Sequence, residues 1–496
     1  MTTTPPHQST ADPVAAAPDG PADPRRWRAL AVLLLVQFML ILDVSVVNIA
    51  LPAIQDDLGF SRAGLTWVVD SYVLMAGSLL LLGGRLGDVF GRRRLFLVGV
   101  TVFGLASVAC GLAADPGTLV GARFAQGLGE ALAAPAAFGL IALLFTDTRE
   151  RVKAIGLFGG ISGLAGTSGP ILSGALVEFA TWRWIFLLNI PVAVAALVLV
   201  PRLVRPDAPR AAGAARGLDL PGAVLVTAGL TGVVYGLIEA ATHPWTSTRV
   251  LLPLLGGLAL VGAFLLVQAR VRTPLLPLRF LQERTRVSAN LVTLLFSSVF
   301  FSQFFITTLY LQDVLGFSAL RTGLGFLPFG VAVGAALGLA TSLIPRVGFR
   351  PVLVAGLLLE VLGALLFTRI TADGSYLTQV LPASVVFALG SGLCLPTLGN
   401  AAVHRVTEQD AGLASGVQQA LQQIGGAVGL AVLVTFALRA AEEAVRSGTD
   451  PAVAITDGYV LALQVGAGVL AVATALAAGL LRPGVGRGTA VAAGAH

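Results

Sequence analysis

Long apolar stretches recur along the whole chain and constrain its fold more than any other feature. A stretch of roughly 20 residues spans about 30 Å of hydrocarbon as an α-helix. Fourteen such stretches occur, at 28–51, 64–85, 94–113, 118–145, 152–177, 183–202, 218–240, 250–269, 287–310, 322–345, 351–370, 377–403, 411–438 and 457–481. The sequence therefore predicts an all-α polytopic membrane protein with 14 transmembrane helices.

The basic residues predict how these helices are oriented. With an even number of spans both termini lie on one side, and the segments on that side hold 24 of the 32 lysines and arginines, against seven on the other. Cytoplasmic segments carry this excess, so we expect a multi-pass plasma membrane protein with both termini cytoplasmic. The net charge of +6 does not indicate nucleic-acid binding, because the basic residues lie between apolar stretches.

Changes in composition divide the chain into five parts. We expect residues 1–27, rich in Pro, Ala and Thr, to form a disordered cytoplasmic tail. A six-helix bundle then covers 28–203, a linker with two additional helices covers 204–286, and a second six-helix bundle covers 287–482. Residues 483–496 form a C-terminal cytoplasmic tail.

The two bundles echo each other in sequence. Pro135 precedes Asp147 by twelve residues, and Pro396 precedes Glu408 by the same interval. The segment 344–351 likewise occupies the place between two helices that 83–94 occupies in the first bundle. Internal repeats of this kind are typical of transporters, whose substrate site lies between the repeats near the middle of the membrane.

Ionisable residues inside the predicted spans are candidates for proton coupling. They are Asp43 in the first span, Asp70 in the second, and Arg123 and Glu130 in the fourth. An intramembrane acid is costly unless a partner, water or a proton compensates its charge, so such residues are usually functional. Burial favours the neutral form of a carboxyl group and a nearby cation favours the charged form, so a cationic substrate and a proton can compete for it.

Structural alternatives remain for each acid. Asp43 could form a helix–helix hydrogen bond with Ser45 or Asn48 as neighbours. Asp70 could be solvated in an outer vestibule, and Glu130 could simply neutralise Arg123. The sequence also contains Glu239 and Glu360 within apolar stretches, and we assign neither of them a role.

Polar residues that share helix faces with aromatic residues are candidate substrate ligands. In the ninth span Gln303, Thr307 and Tyr310 follow each other at i, i+4 and i+7 among several phenylalanines, including Phe304. Asn48 and Gln126 are the corresponding candidates in the first bundle. An aromatic face can accept a cation without a buried counter-ion, which suits an amphipathic ligand. The alternative is a lipid-facing phenylalanine surface with a polar seam against a neighbouring helix.

Three ordered motifs carry a resemblance to a known family. The stretch GGRLGDVFGRRR at 83–94 is predicted to form a tight loop, RFAQGLG begins at Arg123, and a glycine-rich fifth span contains Gly169-Pro170. Together they resemble the major facilitator superfamily, in particular its fourteen-helix drug:proton antiporter branch. Val89 and Ser173 depart from the usual motifs.

The resemblance implies a fold of two pseudo-symmetric six-helix bundles plus two extra helices, and it implies roles for the motif residues. A cytoplasmic gating loop is implied for Gly84, Gly87, Asp88, Gly91, Arg92 and Arg93. An antiporter motif in the fifth helix is implied for Gly166, Gly169, Pro170 and Gly174.

The function that follows is proton-coupled antiport, with export of amphipathic, cationic or lipophilic drugs or antibiotics by alternating access. Open alternatives are a lipid, glycolipid or metabolite exporter, an uptake symporter and a non-transporting sensor. We expect no enzyme and no cofactor. The phosphate-loop motif is missing, so we expect an ion gradient rather than ATP to drive transport. The two cysteines and four histidines are too dispersed to predict a metal site. The expected partners are a small-molecule substrate, protons and membrane lipids, and we expect a monomer.

Overall fold

The computed structural model describes residues 25–145, 147–207, 219–271, 274–276, 283–402 and 408–481, and the regular structure in these ranges is entirely helical. Within them, fourteen long helical segments follow one another. In chain order they are α1 (Arg26–Leu58), α2 (Thr66–Phe90), α3 (Arg92–Gly111), α4 (Pro116–Leu144), α5 (Thr148–Phe179), α6 (Trp184–Leu203), α7 (Leu220–Glu239), α8 (Thr248–Gln268), α9 (Arg284–Val314), α10 (Ala319–Val347), α11 (Phe349–Phe367), α12 (Tyr376–Ala402), α13 (Glu408–Arg446) and α14 (Pro451–Leu480).

The all-α membrane class predicted from the sequence is confirmed. Thirteen helices in the described ranges are long and apolar enough to cross a membrane. The remaining segment, α5, has 32 residues and coincides with the fifth predicted span, but it is not among these thirteen. The count of fourteen transmembrane helices therefore stays a prediction.

Aspartates set the starts of several helices. Asp115 accepts a 2.9 Å hydrogen bond from the amide of Thr118 at the start of α4, and Asp219 accepts one of the same length from Gly222 at the start of α7. Asp450 does the same for the first turn of α14. In each case a proline follows within two residues, where its missing N–H costs nothing, so cap and proline together define the start.

The stretch 83–94 is not the tight loop that its glycines suggest. α2 continues to Phe90 and α3 begins at Arg92, so Gly91 alone lies between the two helices. Its φ of 101° is accessible to glycine at little cost. Gly348 plays the same part between α10 and α11, with a φ of 85°.

A close contact between two helices occurs in both halves, in each case at a glycine eight residues after the one that separates the helices. Gly99 lies in α3 eight residues after the first, and a Cβ atom there would stand 2.8 Å from the carbonyl oxygen of Gly129 in α4. Gly356 lies in α11 eight residues after the second, and a Cβ atom there would stand 3.0 Å from the carbonyl oxygen of Gly390 in α12. Small residues allow this approach of helix backbones, which packs α3 on α4 and α11 on α12.

The additional helices α7 and α8 pack on each other, and α7 contacts both halves of the chain. Thr227 of α7 donates a 3.1 Å hydrogen bond to Ser78 of α2. Thr435 of α13 donates a 2.7 Å hydrogen bond to the carbonyl of Leu237 in α7. α7 therefore lies along the seam where α2 meets α13.

A π-helical turn at the end of α9, Tyr310–Val314, connects the halves on the side opposite the N-terminus. From this turn Gln312 donates a 2.9 Å hydrogen bond to the carbonyl of Ile49 in α1. Asp313 lies 3.6 Å from Arg62, in the connection between α1 and α2. These contacts hold the two halves together at this end.

Candidate transport site

Asp43 of α1 and Arg123 of α4 form an ion pair inside the first six helices. The exposed fraction is 0% for Asp43 and 1% for Arg123. Arg123 also donates from Nε to the carbonyl of Val68 in α2 at 2.8 Å, and its guanidinium carbon lies 4.2 Å from the centroid of the Tyr72 ring. Each charge is thereby compensated by the other, as a buried ion pair requires.

Amide side chains complete the hydrogen bonding of Asp43. Asn189 of α6 donates to its Oδ1 at 2.8 Å, and Gln126 of α4 donates to the same oxygen at 3.2 Å. Ser107 of α3 accepts hydrogen bonds from both amides, at 2.8 Å from Gln126 and 3.3 Å from Asn189. The Oε1 of Gln126 accepts from Arg123 at 2.9 Å. The amide of Gln126, a predicted substrate ligand, is therefore engaged within this network.

The neighbours suggested for Asp43 from the sequence are not its partners here. Ser45 donates to the carbonyl of Leu42 at 3.0 Å, and Asn48 donates to the carbonyl of Val44 at 3.2 Å. Both bonds lie within α1. Asn48 thus satisfies its side-chain donor locally.

Glu130 lies two turns along α4 from Arg123, and the charge of Arg123 is balanced by Asp43 instead. Glu130 is 2% exposed, and its Oε2 has no hydrogen-bond partner among the described residues. The Tyr72 hydroxyl donates a 3.5 Å hydrogen bond to the carbonyl of Leu40 in α1 and also interacts with Glu130. Tyr72 therefore connects the two groups, with its ring against the guanidinium and its hydroxyl at the carboxyl group.

Asp70 of α2 is fully buried, and neither of its carboxylate oxygens has a hydrogen-bond partner within the described ranges. The alternative of a solvated acid in an outer vestibule does not fit this burial. One turn earlier, the ring of Trp67 lies 6.1 Å from that of Phe124 in α4 and 6.2 Å from that of Tyr235 in α7. Asp70 therefore lies behind aromatic packing that connects α2 with α4 and α7.

Phenylalanines in the second half surround a small pocket beside Gln303. Its volume is about 10 Å³, and its lining consists of Phe300, Gln303, Phe304, Thr307, Phe326, Phe329, Phe367, Ser384 and Phe387. Gln303 donates a 3.0 Å hydrogen bond to Thr307, while its buried Oε1 has no partner among the described residues. The space suffices for about one water molecule, so a drug-sized ligand requires the pocket to open.

Three predicted substrate ligands, Gln303, Phe304 and Thr307, are thus brought together, whereas Tyr310 is not. The hydroxyl of Tyr310 donates a 2.7 Å hydrogen bond to the carbonyl of Thr371, between α11 and α12. Tyr310 begins the π-helical turn of α9, where the period of the helix changes. The i, i+4, i+7 face predicted from the sequence therefore ends at Thr307.

The glycine-rich motif of α5 lies at helix contacts. Gly169 lies directly against Ser45 of α1, and a Cβ atom on Gly174 would stand 2.8 Å from the Cα of Leu320 in α10. The carbonyl of Pro170 lies against Gly323, also in α10. Gly166 has no described atom within 4 Å of the position of a Cβ atom. Three of the four motif residues thus pack α5 against α1 and α10.

The predicted gating residues lie where α2 ends and α3 begins. Arg92 donates a 3.0 Å hydrogen bond to the carbonyl of Gly139 in α4, and Arg93 donates a 2.9 Å bond to the carbonyl of Pro201 in α6. The nearest neighbour that a Cβ atom on Gly84 would meet is Pro135 of α4, at 3.9 Å.

Gly87 lies in the last turn of α2. A Cβ atom there would stand 3.6 Å from the side chain of Leu95 and 3.7 Å from that of Arg92. The side chain of Asp88 lies outside the described residues. Asp207, which follows α6, accepts hydrogen bonds from the amides of Arg93 and Arg94 and so caps the start of α3.

Sequence reasoning missed Asn189, Ser107 and Tyr72 as members of the site. Asn189 and Ser107 are single polar residues in apolar stretches, and this isolation is the signal that could have identified them. Their contact with Asp43 or Gln126 depends on how α1, α3, α4 and α6 pack, which spacing along one helix does not reveal.

Comparisons with known proteins agree on the family. The model of the Major Facilitator Superfamily matches residues 33–430. The puromycin resistance protein of Streptomyces alboniger is 43% identical over 93% of this chain and 92% of its own length. The cephamycin export protein of Amycolatopsis lactamdurans is 39% identical over 82% of this chain and 84% of its own length.

A solved structure supports the same fold. It is a bacterial homolog of the human lysosomal transporter Spinster in an inward-facing, occupied conformation. The alignment has a TM-score of 0.66 at 16% identity and covers 92% of this chain and 96% of that chain.

Proposed function

The chain belongs to the Major Facilitator Superfamily, and on that premise we propose that it exports amphipathic, cationic or lipophilic antibiotics across the plasma membrane in exchange for protons. The observation that carries this proposal is the similarity, over most of the chain, to proteins named for puromycin resistance and cephamycin export. The alternatives are a lipid exporter and an uptake symporter of the same fold, and the transport experiment described below distinguishes them from the drug exporter.

Glu130 supports the proton-coupling part of the proposal. It is buried beside the Asp43–Arg123 pair, has an unpartnered oxygen and touches Tyr72. A carboxylate in the membrane interior needs a proton or a cation to compensate its charge. Asp43, by contrast, already accepts hydrogen bonds from Arg123, Gln126 and Asn189. We therefore propose that it positions the Arg123 side chain between transport cycles.

Asp70 is the second candidate for carrying a proton. Both of its oxygens lack partners within the described ranges, and it lies on α2, which packs against α13 of the other half. A change in protonation there would act at a helix interface that has to move during transport.

The pocket beside Gln303 is our candidate for the substrate-binding region. Its unpartnered amide oxygen can accept a hydrogen bond from a ligand, and the surrounding phenylalanine faces suit an apolar or cationic body. The pocket is closed in this conformation, so we propose that it opens as the two halves move.

In alternating access, the contacts between the halves at one end of the molecule break when the other end closes. The contacts of Arg62 with Asp313 and of Gln312 with Ile49 join the halves on the side that we expect to be extracellular. We propose that these contacts break in the outward-open state, when the segment around Asp88, Gly91 and Arg92 closes the cytoplasmic side.

The test is transport by the purified chain in liposomes of defined orientation. An imposed proton gradient should drive puromycin against its own gradient, and puromycin movement should in turn move protons in the opposite direction. A symporter would couple the two movements in the same direction. Transport of phospholipid alone, without any drug movement, would favour the lipid exporter.

A further inference from the structure

A second cavity lies between α7 and α8, at their ends opposite the N-terminal side. Its volume is about 440 Å³, and it is lined by Tyr235, Glu239, Thr248, Arg249, Leu252 and Pro253. Small-molecule sites commonly have volumes of this order. Apart from Tyr235, whose ring packs on Trp67, none of these residues belongs to the transport site or to the predicted motifs.

One wall of the cavity contains a carboxylate and a guanidinium group that both contact the same histidine. Glu239 ends α7 and Arg249 lies in the first turn of α8. His243, from the connection, places its Nδ1 3.3 Å from the Glu239 carboxylate and its Nε2 3.2 Å from Nη1 of Arg249. The Nε2 accepts from the guanidinium of Arg249, and Nδ1 lies within reach of both the Thr242 hydroxyl, at 3.1 Å, and the Glu239 carboxylate.

Glu239 also interacts with the Tyr235 hydroxyl, and both charged residues line the cavity. The imidazole stands between the carboxylate and the guanidinium, so they do not pair directly with each other. Arg249 is exposed, and its guanidinium has five N–H donors, of which the contact with His243 uses one. The hydroxyl of Thr248, also exposed, lies beside it in the lining.

The other wall is apolar and continues along α8. Leu252 is 71% exposed, and Leu255, one turn further, is 58% exposed. Tyr235 is 46% exposed on the facing helix, and its ring packs on Trp67. Tyrosine and tryptophan concentrate where hydrocarbon meets headgroups, so the cavity lies at headgroup depth with its apolar wall facing acyl chains.

We propose that this cavity binds the headgroup of a zwitterionic glycerophospholipid that carries a primary amine. The phosphate lies at Arg249 and Thr248, the ammonium group lies at Glu239, and an acyl chain follows Leu252. Arginine binds phosphate through strong charge-assisted hydrogen bonds. An anionic lipid without an amine leaves Glu239 uncompensated, and a purely cationic drug meets Arg249, so both signs of charge on the wall favour the zwitterion.

Native mass spectrometry of the delipidated full chain tests this assignment. The probes are palmitoyl-oleoyl phosphatidylethanolamine, the matching phosphatidylglycerol, and tetraphenylphosphonium as a lipophilic cation. The wild type should retain phosphatidylethanolamine about tenfold better than phosphatidylglycerol, the order expected from one additional charge-assisted hydrogen bond. Glu239→Gln should remove this preference, whereas Arg249→Gln should weaken the binding of both lipids.

Matched variants separate the site from general effects on the surface. Glu442→Gln and Arg446→Gln alter an exposed ion pair of 3.1 Å in α13 that does not line the cavity, and they should bind as the wild type does. Leu252→Trp replaces a side chain of the cavity lining by a larger one and leaves Glu239 and Arg249 in place, so it should also lower phosphatidylethanolamine binding. This variant keeps the test open if Glu239→Gln does not fold.

The proposal is overturned by equal binding of the two lipids to the wild type. It is also overturned if both charge variants bind phosphatidylethanolamine as the wild type does, or if tetraphenylphosphonium is retained in preference to it and depends on Glu239.

Discussion

Asn189 of α6 donates a 2.8 Å hydrogen bond to Oδ1 of Asp43 in α1, although the two residues are 146 positions apart. Asn189→Leu keeps a similar volume and leaves this buried oxygen with Gln126 as its remaining donor. We expect a loss of about 1–3 kcal/mol in stability, because a buried acceptor loses a partner. The melting temperature of the purified chain and its drug efflux should both fall. Asn400→Leu, at an exposed position of α12, should leave both unchanged, and an equal loss there would contradict the assignment.

Glu130 and Glu360 offer a matched pair of buried carboxyl groups. Glu360 of α11 is 0% exposed, and its Oε1 accepts a 2.5 Å hydrogen bond from Ser391 of α12. Glu130→Gln should abolish the exchange of drug for protons, because an amide cannot carry a proton across the cycle. Glu360→Gln should retain exchange, since the amide oxygen can still accept from Ser391. The measurement is drug movement driven by a pH gradient in liposomes, and loss in Glu360→Gln with retention in Glu130→Gln would reverse our assignment.

The ion pair between Arg62 and Asp313 predicts an effect on conformation. Arg62→Asp should shift the population toward the outward-open state, because it replaces attraction between the halves by repulsion. The side chains are 39% and 20% exposed, so we expect about 1 kcal/mol or less. Combining Arg62→Asp with Asp313→Arg should restore the original population. Distances between spin labels on the two halves report it, and failure of the double variant to recover would argue against a direct pair.

Close packing at Gly99 predicts a difference between two glycine-to-alanine substitutions. A Cβ atom on Gly99 would stand 2.6 Å from the backbone nitrogen of Ala133. Gly99→Ala should therefore destabilise the chain by about 1–3 kcal/mol, the usual cost of overpacking. Gly468→Ala, where no described atom lies within 4 Å, should stabilise α14 by about 0.5–1 kcal/mol. Thermal unfolding in detergent measures both, and equal effects would refute the contact.

Asp115 gives a pH-dependent prediction outside the membrane-spanning segments. The hydroxyl and the amide of Thr118 donate to it at 2.5 Å and 2.9 Å and hold the pKa of Asp115 below its ordinary value of 3.8. Its cap on α4 is therefore complete above pH 3.8 and is lost as the pH falls through the lowered pKa. Hydrogen exchange in the first turn of α4, corrected for intrinsic rates, should be protected at neutral pH and lose protection in acid. Asp115→Ala should remove this difference.

The sequence predicted well those features that depend on one helix at a time. The length of each apolar stretch located the helices, and the seven-residue spacing of Arg123 and Glu130 placed them on one face of α4. Both side chains are indeed buried and contact Tyr72. Helix periodicity and the cost of a charge in lipid are sufficient for these inferences.

Contacts between distant helices could not be predicted in this way. The partner of Arg123 is Asp43, 80 positions away, and nothing in the spacing of either helix identifies it. Glycines were also ambiguous, because those at 84 and 87 suggested a loop whereas both lie within α2. Among the glycines of 83–94, only Gly91 has the backbone geometry that a turn requires.

The position of α7 has a consequence for how cargo can reach the bilayer. α7 donates a hydrogen bond to Ser78 of the first half and accepts one from Thr435 of the second half. It therefore covers the seam between the halves on this side of the molecule. A molecule that leaves sideways into the lipid meets an obstacle on this flank. We therefore expect any lateral exchange with the bilayer to use the other seam between the halves, where α5 contacts α10.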